Sequence, residues 1–158
     1  MYDKNVKYWL EQAGHEKRKE GIDLRSRKIK LAIALIEEEV SELKGAVHMN
    51  DPIEVLDAIV DIKWVINNLI HFSGLTKENI DKAEAEILKS NLSKFCKTEI
   101  EALDTVQAYK DGIHPDKRGK SIETYYTKEG DFFIVKRKFD NKIMKSMLYK
   151  PAQLTIDL

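Results

Sequence analysis

A chain of 158 residues is long enough for one domain with a sizeable core, with room for a small appendage. Its 27 basic and 27 acidic residues cancel, so whole-chain charge gives no reason to expect nucleic acid or a membrane surface as a partner. A lone cysteine, Cys96, excludes an internal disulfide, and no apolar run reads as a signal peptide or spans a bilayer; the expectation is a soluble, cytoplasmic protein.

The elements are predicted in chain order as follows. Asp3 to about Ala13 reads as a short amphipathic helix anchored by Val6, Tyr8, Trp9 and Leu10. A charged stretch from His15 to Asp23 follows, with Gly14 and Gly21 as breakers. A second helix is expected from about Arg25 to Val47, with Ile29, Ala32, Ile33, Leu35, Ile36, Val40, Leu43 and Ala46 on its apolar face. Met49-Asn50-Asp51-Pro52 breaks it, and Asn50 or Asp51 can cap a third helix that has Pro52 in its first turn and ends near Ser73-Gly74. So short a break predicts a helical hairpin, which brings Glu42 and Glu54 roughly level. Thr76 caps a fourth helix reaching about Lys94, and Thr98 with Glu101 has capping-box spacing for a fifth ending near Asp111-Gly112.

After Pro115 the composition turns to short runs rich in Ile, Val, Phe, Tyr and Thr. Ser121–Thr127, Asp131–Lys138 and Lys142–Leu148 read as strands of a small antiparallel unit, separated by turns at Lys128-Glu129-Gly130 and Phe139-Asp140-Asn141. The organisation expected is a helical domain over residues 1–113 and a β appendage over 114–158. The appendage is locally basic through Lys136, Arg137, Lys138, Lys142 and Lys145, which reads either as edge protection or as a positive rim for phosphates.

Two acidic clusters carry the chemistry. Glu38, Glu39 and Glu42 share one helix face; Glu54, Asp57 and Asp61 form a second stripe. The third helix is apolar nearly all round, which predicts burial and makes its carboxylates costly unless paired or bound to a metal. Either an ion pair, to Lys63 or to a distant Lys or Arg, or a hard divalent cation would compensate them. The four histidines have no zinc-ligand spacing, and no glycine-rich phosphate loop or nucleophile elbow is present.

Glu38-Glu39-x-x-Glu42, followed by Asp61-Ile62-Lys63-Trp64-Val65-Ile66-Asn67-Asn68, resembles the paired motif of the all-α nucleoside triphosphate pyrophosphohydrolases, the MazG-like superfamily. Ser90-Asn91-Leu92-Ser93-Lys94-Phe95 and the tail from Asp140 to Pro151 resemble the phosphoribosyl-ATP pyrophosphohydrolase-like branch. In many members a glutamate lies three residues before the final aspartate; here that position is Ala58, with Asp57 and Glu54 on nearly the same face. The resemblance implies an antiparallel helical bundle that hydrolyses a nucleoside triphosphate, or a related nucleotide, to monophosphate and pyrophosphate. It implies Mg2+ (or Mn2+) held by Glu39, Glu42 and Asp61, with Asp57 and Glu54 as further ligands, and Glu38 or Glu39 activating water. Asn68, Asn91, Lys94, Lys142 and Lys145 fall to the nucleotide substrate, while Trp64 reads as packing. A homodimer or homotetramer is expected, and Ala58 leaves a second function open: a non-catalytic nucleotide-binding or regulatory module of the same fold.

Overall fold

The computed structural model describes residues 3–15 and 21–156, so most of the charged stretch after His15 lies outside the described residues. Among those described, five α-helices precede a two-stranded sheet. They are α1 (Lys4–Gln12), α2 (Arg27–Met49), α3 (Pro52–Ser73), α4 (Lys77–Leu92) and α5 (Glu99–Lys110), with β1 (Thr124–Glu129) and β2 (Phe132–Arg137). The chain divides into two compact units, Met1–Lys82 with Thr155–Leu158, and Ala83–Leu154. The boundary falls within α4, and α5 packs on both strands, so composition marks where strands begin rather than where this packing unit begins.

In the first unit the helices start and stop where side chains satisfy free backbone groups. Asp3 accepts from Asn5 N, and Ser26 accepts from Ile29 N. The turn between α2 and α3 is built by Asn50 in the left-handed conformation and by Asp51, whose carboxylate accepts from Ile53 N and Glu54 N. With Pro52 opening α3, only two residues link the helices, and the two pack along each other as an antiparallel hairpin. Val6 and Leu10 of α1 are buried, Trp9 meets Trp64 edge to face at 5.8 Å, and Asp3 N donates to Asn67 Oδ1 at 2.7 Å. Trp64 is thus part of the packing. Gly74 ends α3 at φ +85°, where an added Cβ would stand 2.4 Å from the Gly21 carbonyl oxygen, so only glycine fits.

The expected all-round burial of α3 is not what forms. Ile53, Leu56, Ile59, Val60 and Ile66 are exposed, as are Leu31, Val47 and Met49 on α2. Within this unit α1 and α2 are the main neighbours of α3, and two helices cannot cover its full circumference.

The second unit is centred on Cys96, Ala102, Tyr109, Val135 and Met144, all buried. Cys96 is a packed residue, its thiol pushed up to about 11 by burial. Thr98 Oγ1 accepts from Glu101 N, while Glu101 Oε2 accepts from Lys97 N. The hairpin pairs Thr124 with Arg137 through Glu129 with Phe132, and its two-residue turn opens on Gly130 at φ +58°. The strand expected from Ser121 starts only at Thr124, because Ile122 N is already bound to the Tyr109 carbonyl.

The third strand expected over Lys142–Leu148 does not form. Ile143 makes one isolated bridge to Lys136, and the chain then leaves the sheet. Helix-side partners replace the ladder: Met147 N donates to Thr105 Oγ1 and Ser146 Oγ to the Ser93 carbonyl.

His114 is a buried group in this unit whose titration should couple to folding. It is 2 % exposed, stacks on Tyr109 at 3.9 Å and accepts from Asp116 N at 3.1 Å through Nδ1. Burial lowers its pKa below the ordinary 6.5. Folding therefore favours the neutral ring, and this contribution is full above 6.5 and is lost as pH falls through the folded-state pKa. Thermal melts between about pH 7 and about pH 5 should show the wild type losing stability more steeply than His114→Phe, whose ring cannot titrate. Parallel profiles would show that His114 does not carry the dependence.

Candidate functional site

The α2–α3 hairpin brings the two acidic stripes together. Counted outward from the turn, Glu39 and Asp61 are each about ten residues away, so they stand level on facing helices. Glu39 shows the result. Burial of its carboxyl raises its pKa, and the charges of Glu42, Asp61, Glu38 and Asp57 raise it further. Glu39 Oε2 is hidden from solvent and has no hydrogen-bond partner.

Among the described residues, none of Glu38, Glu39, Glu42, Asp57 and Asp61 forms an ion pair or an ordinary hydrogen bond through its carboxylate. Lys63, two residues from Asp61, is exposed and pairs with none of them. Burial of the aspartates differs from expectation: Asp57 is exposed and Asp61 half-buried, because the flank of α3 that carries them is partly open. Glu54 is not among the charges that act on Glu39; it lies in the first turn of α3, where its own N–H is capped by Asp51. Ala58 is 3 % exposed, so the position that holds a glutamate in the resembled motif faces packed structure and carries only a methyl group.

The donor set is all oxygen and anionic, which suits a hard divalent cation rather than zinc or copper. The hidden, unpartnered Glu39 oxygen fits the same chemistry. In the side-chain positions described, no three Asp, Glu, His or Cys residues converge closely enough to enclose an ion. The hairpin thus gathers negative charge, while ligand convergence is not formed.

The other expected site residues separate by unit. Asn68 on α3 is buried, and its Oδ1 has no hydrogen-bond partner. Its neighbour Asn67 is structural, accepting from Asp3 N and donating to the Lys63 carbonyl. In the second unit Lys94 Nζ donates to Asn91 Oδ1 at 2.7 Å, and Lys145 pairs with Asp116, whose carboxyl it holds below the usual range. Lys94, Lys142 and Lys145 line one cavity of about 290 Å³, joined by Lys117 and Arg137. Lys117 was not legible from sequence: a 3-10 turn at Pro115–Lys117 puts it there. A larger cavity of about 480 Å³, with Leu92, Phe95, Phe132 and Leu148 in its wall, contains none of the expected site residues.

No family model, curated protein or solved structure matches this chain. Among the described residues, no helix is long and apolar enough to cross a membrane.

Proposed function

We propose that the chain is a Mg2+-dependent nucleotide pyrophosphohydrolase that cleaves a nucleoside triphosphate, or a related nucleotide, to monophosphate and pyrophosphate. One observation carries this reading: four carboxylates, Glu38, Glu42, Asp57 and Asp61, crowd around Glu39 without a protein cation to balance them. Such crowding costs stability, and it is retained usefully where a ligand brings the missing positive charge. The sequence resemblance then supplies the reaction class.

In this reading Glu39, Glu42 and Asp61 hold the cation, with Asp57 beside them. Bound there, the ion supplies charge neutralisation for a triphosphate and acidifies water. Glu38 takes the proton of the attacking water or orients it, a role Glu39 can exchange with it. Asn68, with its unpartnered buried carbonyl oxygen, accepts a hydrogen bond from sugar or base. Asn91, Lys94, Lys142 and Lys145 serve the substrate, the lysines binding phosphates as point charges. Glu54 is left to a helix-terminal role, where a negative charge is favourable. The buried methyl of Ala58 favours a second reading, a nucleotide-binding module of the same fold without turnover. Pyrophosphate release from a triphosphate panel with Mg2+ separates the two.

The exposed apolar residues of α2 and α3 support an oligomer, since apolar exposure on this scale marks an interface. Light scattering at micromolar concentration should give at least twice the 18.3 kDa of one chain. A monomer mass would contradict this part of the reading.

A further inference from the structure

The cavity of about 290 Å³ in the second unit is ringed by five basic side chains, Lys94, Lys117, Arg137, Lys142 and Lys145, with Asp116 as its one acidic wall residue. Asp116 is spent on Lys145. Arg137 is clamped by Asp140, Nε to Oδ1 at 2.8 Å and Nη2 to Oδ2 at 2.5 Å, which holds Asp140 down to about 2. Lys94 binds only the neutral Asn91 amide. Lys117 and Lys142 have no acidic side-chain partner among the described residues. Lys94, Lys117 and Lys142 thus line one cavity without a carboxylate partner.

Like charges gathered at a concave surface repel, and an anion seated among them removes that cost while gaining several charge-assisted hydrogen bonds at once. A cavity of about 290 Å³ has room for an anion of more than one phosphoryl group. We propose that this cavity is a phosphoanhydride-binding site that takes inorganic pyrophosphate without a divalent cation. The choice of pyrophosphate rests on the pyrophosphohydrolase reading, in which it is a product; the anion site rests on the cavity alone. Lys117 and Arg137 thereby join the three lysines assigned to the substrate.

The test is titration calorimetry of the full chain with sodium pyrophosphate and with orthophosphate, in excess chelator. Pyrophosphate should bind at least ~10-fold more tightly than orthophosphate, and less tightly as salt rises. Lys117→Gln with Lys142→Gln should weaken it ~100-fold with the melting temperature unchanged, while Lys138→Gln, outside the cavity wall, should leave it intact. Asp61→Asn should also bind pyrophosphate normally, and a wild-type chain that binds pyrophosphate yet hydrolyses no triphosphate would sink the enzymatic reading and leave this site standing. No heat from the wild type, equal affinity in the double variant, or tighter binding of a single-stranded oligonucleotide than of pyrophosphate would overturn the proposal.

Discussion

Asp61→Asn should lower nucleotide turnover by at least ~100-fold and at the same time make the metal-free protein more stable. Glu39→Gln and Glu42→Gln should do the same. The two effects have one cause. Removing a charged oxygen ligand weakens the hold on a catalytic cation, and losses of this size are usual for such ligands. The same carboxylates raise the pKa of Glu39 by repulsion and lack protein cations, so neutralising one relieves strain in the absence of metal. Melting curves in chelator and steady-state rates in Mg2+ read the two halves separately. Adding Mg2+ should raise the melting temperature of the wild type and leave that of Asp61→Asn nearly unchanged, since a ligand stabilises only the state that binds it. An ordinary structural acidic residue would behave otherwise: its replacement would lower stability and leave turnover alone.

Tyr109→Ala carries the largest expected loss of stability, about 3–5 kcal/mol. Tyr109 is fully buried at the centre of the second unit, packed among Cys96, Ala102, Val135 and Met144 and stacked on His114. Its hydroxyl donates to the Lys145 carbonyl at 3.2 Å, and burial pushes its pKa up to about 12. Its own carbonyl accepts from Ile122 N. Truncation therefore opens a cavity and frees both the entry to β1 and the segment that holds Lys145. Tyr109→Phe, which keeps the ring, should cost only about 1 kcal/mol. Urea unfolding measures both; a loss below about 1 kcal/mol in Tyr109→Ala would show that this ring is not the keystone of the unit.

The helical part of the fold was readable because its signals are local. Asp51-Pro52 after Asn50, Ser73-Gly74, Thr76 and the Thr98–Glu101 pair all act within one turn of chain. The strand end was less readable. Lys142–Leu148 has the composition of a strand, yet Ser146 and Met147 are drawn to Ser93 and Thr105, partners set by tertiary packing. The apolar circumference of α3 predicted burial, whereas its neighbours leave Ile53, Leu56, Ile59 and Val60 exposed. Periodicity counts apolar faces but does not count the helices available to cover them.

The candidate site divides in the same way. Helical spacing placed Glu38, Glu39 and Glu42 on one stripe and Asp57 with Asp61 on another, and the short turn made the stripes face each other. Distance from that turn sets Glu54 apart, which spacing alone did not show. That Lys63 would stay out in solvent, leaving the carboxylates unbalanced, depends on how the hairpin packs. The gathering of Lys117 with Lys94, Lys142 and Lys145 depends on a 3-10 turn and one isolated bridge, neither of which has a sequence period.

In the proposed function the crowded carboxylates are a cation-dependent phosphoanhydride-cleaving centre. The most direct measurement incubates the purified chain with standard and damaged nucleoside triphosphates, with Mg2+ and with chelator, and quantifies pyrophosphate, orthophosphate and nucleoside monophosphate. At least one nucleotide should yield monophosphate and pyrophosphate in equal amounts, only with the cation, and not with Asp61→Asn. Release of orthophosphate in place of pyrophosphate, turnover that persists in chelator, or no product from any triphosphate would contradict it.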